Sequence, residues 1–255
     1  MAVVRWNFPN GSHNDSLTAA LAGANTSNFT GGTAILSSDQ FLSGISMLSA
    51  RFTTTLGGHF WVAREGLSAT QYAYDIYVYI STRVGGSVYL AWAGASSSAR
   101  SLGVIINGQN KIALNDSTAT AAWEGAPEVL PDNTWVRISV WGNCTTGEAQ
   151  CAWYLGHSTT PVESSGLLTG LSIQSGIDRI RWGGKAATSS VAVGDIYFGS
   201  WAYDTTASGL LAPANTSGPV ELPASLGTVP IADARVGDQA VAKLYIGDTN
   251  IWSSS

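Results

Sequence analysis

The sequence predicts an all-β fold, a jelly-roll sandwich of two antiparallel sheets packed face to face. In many segments apolar side chains recur at every second position, which is typical of strands with one buried face. Turn-forming Gly, Asn and Pro residues separate these segments at spacings of about 8–12 residues, as in all-β sandwiches. No segment keeps a helical period, and residues 16–22 and 38–42 are expected to form only short helical turns. A chain of 255 residues can build such a sandwich as one domain.

The strands follow from this alternation. It is clearest in residues 72–80 and 135–141, where one face is apolar throughout. The other predicted strands are 3–8, 47–55, 59–63, 88–92, 102–106, 111–114, 149–155, 167–173, 178–182 and 191–201. Turns are predicted at Gly57-Gly58, Gly85-Gly86, Asn107-Gly108, 131–133 and Gly183-Gly184. Asn107-Gly108 suits a two-residue hairpin turn, because both residues tolerate a positive φ.

The chain divides into three predicted parts. Residues 1–212 form the sandwich, residues 213–230 form a Pro-rich and semi-rigid linker, and residues 231–255 form a small C-terminal β-hairpin. The hairpin has a strand at 240–246, a turn at Gly247-Asp248 and a short strand that ends at Trp252. So few residues cannot bury enough surface to fold alone, so the hairpin must pack on the sandwich, on a neighbouring subunit or on another protein. The side chains expected to anchor it to a partner are Leu244, Ile246, Ile251 and Trp252.

Charge and hydropathy exclude several classes of protein. The 12 Lys and Arg residues are scattered singly against 17 acidic residues, whereas binding to nucleic acid needs clustered cations. No apolar run is long enough to span a membrane, and we expect no signal peptide because the first residues contain no apolar h-region. The Ser/Thr/Gly-rich, Lys-poor composition is nevertheless typical of proteins outside the cell. Release by host lysis, as part of a virus particle, reconciles these observations.

The only cysteines, Cys144 and Cys151, flank a loop that contains Gly147. The spacing predicts a disulfide across a hairpin, worth about 2.5 kcal/mol by loop-closure entropy. Two reduced thiols are the alternative, and no second Cys or His pair suggests zinc.

Several stretches of residues 1–212 resemble the concanavalin A-like lectin/glucanase superfamily, in its laminin-G-like branch. Trp6, Phe8 and Gly11 resemble the opening strand of such domains, and residues 132–141 resemble their turn, Trp and central strand. Residues 178–183, followed by 194–198, resemble their closing strands. The resemblance implies a jelly roll and glycan contact, and it does not by itself imply catalysis.

The C-terminal residues 243–252 resemble a segment found at the ends of virion proteins of phages that infect actinobacteria. This resemblance implies a minor tail protein or a capsid decoration protein. The expected partners are other virion proteins, and a homo-oligomer is expected because such proteins often lie on symmetry axes.

Catalytic patterns are absent from the sequence. The alternating carboxylates of the superfamily's glucanases do not occur, and Glu124 and Glu128 stand in a Gly/Pro loop. The three histidines, His13, His59 and His157, lie in turns or at strand ends without a nucleophile elbow. We therefore expect no enzyme and no catalytic residue.

Calcium is the one open alternative among cofactors. The laminin-G-like resemblance implies that Ca²⁺ can be held by loop carboxylates and carbonyls. The candidate oxygens belong to Asp75, Asp116, Asp132 and Asp195, which form no dense ligand run. We expect no metal and no other cofactor.

Glycan binding is the main functional expectation for the sandwich. Sugar sites combine aromatic faces with polar side chains. The residues expected to line such a site, opposite the apolar faces of 72–80 and 135–141, are Asp75, Tyr77, Tyr79, Trp135, Arg137 and Trp141. Packing beneath loops, or a subunit interface, is the alternative for these aromatic residues.

The sequence thus leaves two main functions. The first is a non-enzymatic structural protein of a phage particle, which stabilises the particle and uses its C-terminal hairpin as an anchor. The second is a receptor-binding lectin of a tail tip that contacts host glycan. A secreted glycoside hydrolase is a distant third.

Overall fold

The computed structural model describes residues 3–8, 11–29, 32–54, 59–81, 87–96, 98–125, 130–185 and 194–214, and short stretches between 235 and 253. The described residues form strands and no helix, so none of them forms an apolar helix able to cross a membrane. In chain order the first strands are β1 (Val4–Trp6), β2 (Thr26–Asn28), β3 (Gly32–Ser37), β4 (Ser49–Thr54), β5 (His59–Ala69), β6 (Gln71–Ile80), β7 (Val88–Gly94), β8 (Arg100–Ile106), β9 (Ile112–Asn115) and β10 (Ala121–Glu124). They are followed by β11 (Trp135–Asn143), β12 (Glu148–Leu155), β13 (Glu163–Ser164), β14 (Ile177–Lys185), β15 (Gly194–Asp204), β16 (Arg235–Val236), β17 (Gln239–Ala240), β18 (Lys243–Ile246) and β19 (Thr249–Ser253).

Two antiparallel sheets form the body of the protein. Sheet 1 has the strand order β13-β12-β11-β6-β15-β4-β3, with β1 also paired to β15. Sheet 2 has the order β10-β9-β8-β7-β14-β5-β2. Neighbours in both sheets often lie far apart in sequence, as the pairing of β6 with β15 illustrates. The predicted two-sheet antiparallel sandwich is confirmed.

The core lies between the sheets and consists of the predicted apolar faces. Sheet 1 contributes the even-numbered side chains of β6 and the Val136, Ile138 and Val140 side chains of β11. Sheet 2 contributes Trp182 of β14, whose ring stacks on Trp201 of sheet 1 at a centroid distance of 5.6 Å. The alternation of residues 72–80 and 135–141 therefore identified the buried faces correctly.

Three local predictions are wrong, two of them because of glycine geometry. Residues 167–173 form no strand and contribute one isolated bridge, between Leu168 and Ala149, since Gly166 and Gly170 take φ values of +62° and +70°. Gly183-Gly184 is not a turn but lies inside β14, where Gly183 has φ +80° and lies against the carbonyl of Phe60.

The third concerns the β8–β9 hairpin, which has a longer loop than two residues. The amide of Asn110 donates to the carbonyl of Asn107, and Asn110 itself takes φ +60°. Asn107 is therefore the first residue of the turn, and the loop extends over 107–111 because the side chain of Asn107 also accepts from the amides of Gln109 and Lys111.

The predicted disulfide is not present, and both cysteines are free thiols. The register of β11 and β12 explains why. Cys151 lies opposite Val140, and Cys144 follows four residues further along the hairpin, at the turn. That offset corresponds to roughly 12 Å between the two Cα atoms, whereas a disulfide requires less than about 7 Å. Burial raises the pKa of both thiols.

The C-terminal region contains two further two-stranded sheets, β16-β17 and β18-β19. In the second, Leu244 pairs with Trp252 and Ile246 pairs with Thr249. The first strand of this hairpin thus starts at Lys243 rather than at residue 240. Most of the predicted linker, from residue 215, lies outside the described residues, as do the glycine turns at 57–58 and 85–86. The division into three domains remains a prediction.

Candidate functional site

The six residues expected to contact glycan do lie together on the outer face of sheet 1. The antiparallel register of β6 and β11 places Arg137 opposite Tyr77 and Trp135 opposite Tyr79. Asp75 lies opposite Ser139 in the next row. This proximity follows from two adjacent strands with alternating side chains.

That face is covered rather than open, contrary to the expected glycan site. Asp75 and Tyr77 are fully buried, and Arg137 is 1% exposed. Two chain segments cover them. Leu42 and Ile45 pack against Tyr77 and Trp135 on one side, and a segment that we call the strap, residues 205–214, covers the other. The physical reason is that burying the apolar surface of aromatic side chains is favourable whether a ligand or another segment of the chain covers them.

Polar groups of the sheet hold the strap by its backbone. The strap forms no strand, so its amides and carbonyls need other partners once they are buried. Five hydrogen bonds from sheet 1 supply partners: Trp141 Nε1 to Ala207 O at 2.7 Å, Arg137 Nη1 to Leu211 O at 2.9 Å, Leu211 N to Ser139 Oγ at 3.1 Å, Ala214 N to Tyr77 Oη at 3.0 Å and Arg5 Nη2 to Ala212 O at 3.4 Å. Three of the predicted glycan contacts, Tyr77, Arg137 and Trp141, thus bind the chain itself.

A buried ion cluster lies beneath the strap. Asp75 accepts from both terminal nitrogens of Arg5, at 3.2 and 3.3 Å, and lies 3.8 Å from Arg137 Nη1. The guanidinium of Arg137 also donates to Ser158 O at 3.2 Å and stacks 3.8 Å from the ring of Tyr154. Burial raises the pKa of Asp75, while the two guanidinium groups act in the opposite direction. Asp75 and Arg137 thus both have partners within the protein.

His157, expected to be a simple turn residue, belongs to the same network. Its Nε2 lies 3.0 Å from the carbonyl of Ser43, and its Nδ1 lies 3.3 Å from the hydroxyl of Tyr77. Because the carbonyl requires a donor, the neutral Nε2–H tautomer fits, with Nδ1 accepting from Tyr77. Burial lowers the pKa of His157. The sequence signal for Arg5, Ser139 and His157 was weak, since their partners lie 70 or more residues away.

The calcium candidates do not form one site. Within the ranges that the structure describes, no three His, Cys, Asp or Glu side chains come together as a metal site. Asp75 is held by the arginines, Asp195 accepts from Thr53 Oγ1 at 2.5 Å, and Asp116 accepts from Thr118 within its own turn. Of the two carboxylates expected in a loop, Glu124 ends β10 instead and accepts from the side-chain amide of Asn107, and Glu128 lies outside the described residues.

A second polar face was not anticipated. On the outer face of sheet 2, the guanidinium of Arg181 lies 3.9 Å from the ring of Trp61 and 4.6 Å from the ring of Trp92. The guanidinium of Arg100 lies 4.4 Å from the ring of Tyr89 on the same sheet. Alternation in 59–63 and 178–182 places Trp61 and Arg181 opposite core residues, but it cannot indicate that they meet. The sequence pattern therefore indicates which side chains lie on this face, but not that Arg181 stacks on the two tryptophan rings.

An open cleft of about 530 Å³ lies at the turn between β5 and β6, lined by residues 67–70 and 175–178 with Ala95. Its single charged side chain, Asp178, already pairs with Arg179 at 2.9 Å. The cleft therefore offers mainly backbone and small polar groups.

Comparisons with known proteins support the fold alone. No family model and no curated protein matches the chain. A Shewanella oneidensis MR-1 protein of unknown function, SO2946, has 13% sequence identity and a TM-score of 0.52, over 83% of this chain and 89% of that one. Alginate lyase vAL-1 from Chlorella virus has 11% identity and a TM-score of 0.50, over 75% of this chain and 98% of that one. The chain is thus similar in architecture to these proteins, as a jelly-roll β-sandwich.

Proposed function

We propose that this protein is a non-enzymatic structural component of a phage particle, a minor tail or capsid decoration protein. In this proposal the sandwich is a rigid module and residues 213–255 are the arm that attaches it. The observation that carries the proposal is the strap. Polar groups on the outer face of sheet 1, including Arg137 and Tyr77, hold the strap, whose last residues are the start of this arm. They are thereby withdrawn from any substrate.

The strap is suited to transmit force from the arm to the sandwich. Its hydrogen bonds reach residues in the middle of β6 and β11, two adjacent strands of sheet 1. A pull on the arm therefore acts first on two inner strands, each of which is hydrogen-bonded to a neighbour on both sides. A frayed terminus would lack this property.

The C-terminal hairpin is the proposed attachment point. An isolated two-stranded hairpin is marginally stable in water, so β18 and β19 need a surface to pack against. Strand pairing with a neighbour's sheet edge would satisfy their outer backbone groups, as in β-augmentation. The proposed anchors are Leu244, Ile246, Ile251 and Trp252.

The experiment compares incorporation of variants into particles. The double variant Leu244→Ser/Trp252→Ser is expected to fold normally but to be lost from purified particles. Leu167→Ser, a change of an exposed leucine on the sandwich, is the matched control and is expected to assemble normally. Normal incorporation of the double variant would overturn the proposed anchor.

Receptor-binding lectin is the second candidate function. It is favoured by the aromatic and arginine side chains on sheet 2, since aromatic residues and guanidinium groups recur where proteins bind sugars and acids. The two functions are compatible in one tail-tip protein. In both, the protein acts in the virion, together with other virion proteins and further copies of itself.

A further inference from the structure

A line of aromatic and cationic side chains crosses the outer face of sheet 2. We call it the aromatic–arginine row; its members are Trp61, Arg181, Trp92, Tyr89 and Arg100. Trp61 lies on β5, Arg181 on β14, the next two on β7 and Arg100 on β8, and these four strands are neighbours. At about 4.8 Å per strand, the row extends roughly 14 Å across the sheet.

Glycine keeps the row continuous. Gly103 on β8 lies opposite Trp92 on β7. A Cβ at Gly103 would lie 3.2 Å from the ring of Tyr89 and 3.4 Å from Cβ of Trp92. Because no side chain rises there, the ring of Tyr89 can lie over β8 and reach the guanidinium of Arg100. Trp61, Tyr89 and Arg100 remain half-buried, so the row contacts solvent.

Arg181 is a nearly buried cation without a carboxylate or hydrogen-bond partner among the described residues. It is 9% exposed, and its buried Nε has no acceptor in reach, as is also true of Nε in Arg51, Arg137 and Arg179. The neighbouring Arg179 differs, since it pairs with Glu65 at 2.5 Å and with Asp178 at 2.9 Å. Arg5, Arg51 and Arg137 also have carboxylates beside them. The indole rings orient the Arg181 guanidinium, and the carboxylate that acts on it electrostatically, Glu65, already forms its ion pair with Arg179.

We propose that the aromatic–arginine row binds an acidic polysaccharide. An acidic group of the glycan, carboxylate or phosphate, pairs with Arg181, and the apolar faces of its sugar rings lie on Trp61 and Tyr89. A charged guanidinium favours an oxyanion, and the aromatic faces favour C–H-bearing rings. The length of the row favours a chain with repeated acidic groups over a single small anion. This inference rests on the adhesion role proposed above, for which it names ligand class and surface, and it is independent of the arm.

The test is a titration of the full-length protein with an oligouronate, followed by calorimetry and tryptophan fluorescence. We expect a dissociation constant of about 1 mM or lower, and weaker binding at high salt. Arg181→Gln is expected to weaken binding at least 10-fold, because it removes a charge-assisted contact. Arg179→Gln is the matched control on the same strand and is expected to change binding less than about 3-fold, since its charge is already paired.

Further titrations distinguish carboxylate from phosphate as the anion and test the roles of the sugar rings and of the Trp61 ring. A poly(glycerol phosphate) of similar length tests phosphate in place of carboxylate, and a neutral oligosaccharide tests the need for charge. Poly-glutamate tests whether the sugar ring is needed. Trp61→Ala is expected to weaken oligouronate binding as Arg181→Gln does, and its folding is checked by thermal unfolding. If Arg181→Gln fails to fold, Trp61→Ala replaces it as the test variant.

The results that overturn the inference are definite. It is wrong if neither acidic glycan binds at millimolar concentration, if poly-glutamate or the neutral sugar binds as well, or if Arg179→Gln weakens binding as much as Arg181→Gln. Particle incorporation should be normal for Arg181→Gln, and adsorption to cells should fall. Failure of the arm proposal would instead change incorporation and leave oligouronate binding intact.

Discussion

Replacing Arg137 by methionine is the most direct test of how the strap is held. The methionine keeps the apolar stem and removes the guanidinium, which donates to Leu211 O at 2.9 Å and Ser158 O at 3.2 Å. It also leaves the buried Asp75 with Arg5 alone. Breaking a buried ion pair from one side costs about 3–5 kcal/mol, and the remaining arginine places this case near the lower value, about 3 kcal/mol. That is a large share of the roughly 5–15 kcal/mol by which domains are stable.

The assay is urea unfolding followed by tryptophan fluorescence and circular dichroism. A loss of about 3 kcal/mol corresponds to a Tm lower by roughly 6–12 °C in a chain of this size. Arg51→Met is the matched control, because Arg51 pairs with Asp39 at 2.8 Å while 26% of its side chain is exposed. An exposed pair of this kind is worth at most about 1 kcal/mol.

Two outcomes would refute the reasoning. Arg137→Met could cost less than about 1 kcal/mol, or it could cost no more than Arg51→Met. Either would mean that the ion cluster beneath the strap does not stabilise the fold. Limited proteolysis adds a local measurement, since cleavage within residues 205–214 should become faster in Arg137→Met and stay unchanged in Arg51→Met.

Three further predictions concern other features of the fold. Burial lowers the pKa of His157 below its unfolded value of about 6.5, so the unfolded chain binds more protons near and below that pH. The free energy of unfolding should therefore fall as the pH is lowered from 7.5 to 5.5. In urea titrations His157→Gln should make this pH dependence weaker, and an unchanged dependence would contradict the assignment. Without reductant, the intact mass of the protein should correspond to Cys144 and Cys151 as two thiols, and the buried Cys151 should react with a thiol reagent only after unfolding. A mass lower by two hydrogens would instead show that the disulfide forms. Gly183→Ala should lower the free energy of unfolding by about 2 kcal/mol or more, because an alanine at φ +80° is strained and its methyl group overlaps the Phe60 carbonyl. A change below about 0.5 kcal/mol would count against this geometry.

Much of the fold could be predicted because strand alternation is a local property. Residues 72–80 and 135–141 carry their buried faces in their own sequence, and both faces were assigned correctly. Short polar strands such as β2 and β10 were missed, since three or four residues of mixed polarity have no period. Residues 167–173 failed for the opposite reason, as an apolar run was interrupted by glycines with positive φ.

The candidate site was predictable in composition but not in exposure. The outward faces of β6 and β11 were recognised, together with all six aromatic and charged residues. Their burial depends on the strap, and the contact of Leu211 with Arg137 joins residues 74 positions apart. The stack of Arg181 on Trp61 likewise joins distant strands, β14 and β5. No local pattern carries such information.

The sequence by itself determined that this chain folds as a β-sandwich, which side chains of β6 and β11 point inward, and where the turn at 131–133 lies. These properties depend on the period of two and on the φ preferences of single residues. Only the tertiary structure decided which outward face is covered and that Arg181 lies between two indole rings with no ion pair to a described carboxylate. The outward face of a strand shows the same alternation whether solvent, a ligand or a distant segment of the chain lies against it. Only the arrangement of remote segments therefore distinguishes the closed face of sheet 1 from the aromatic–arginine row of sheet 2.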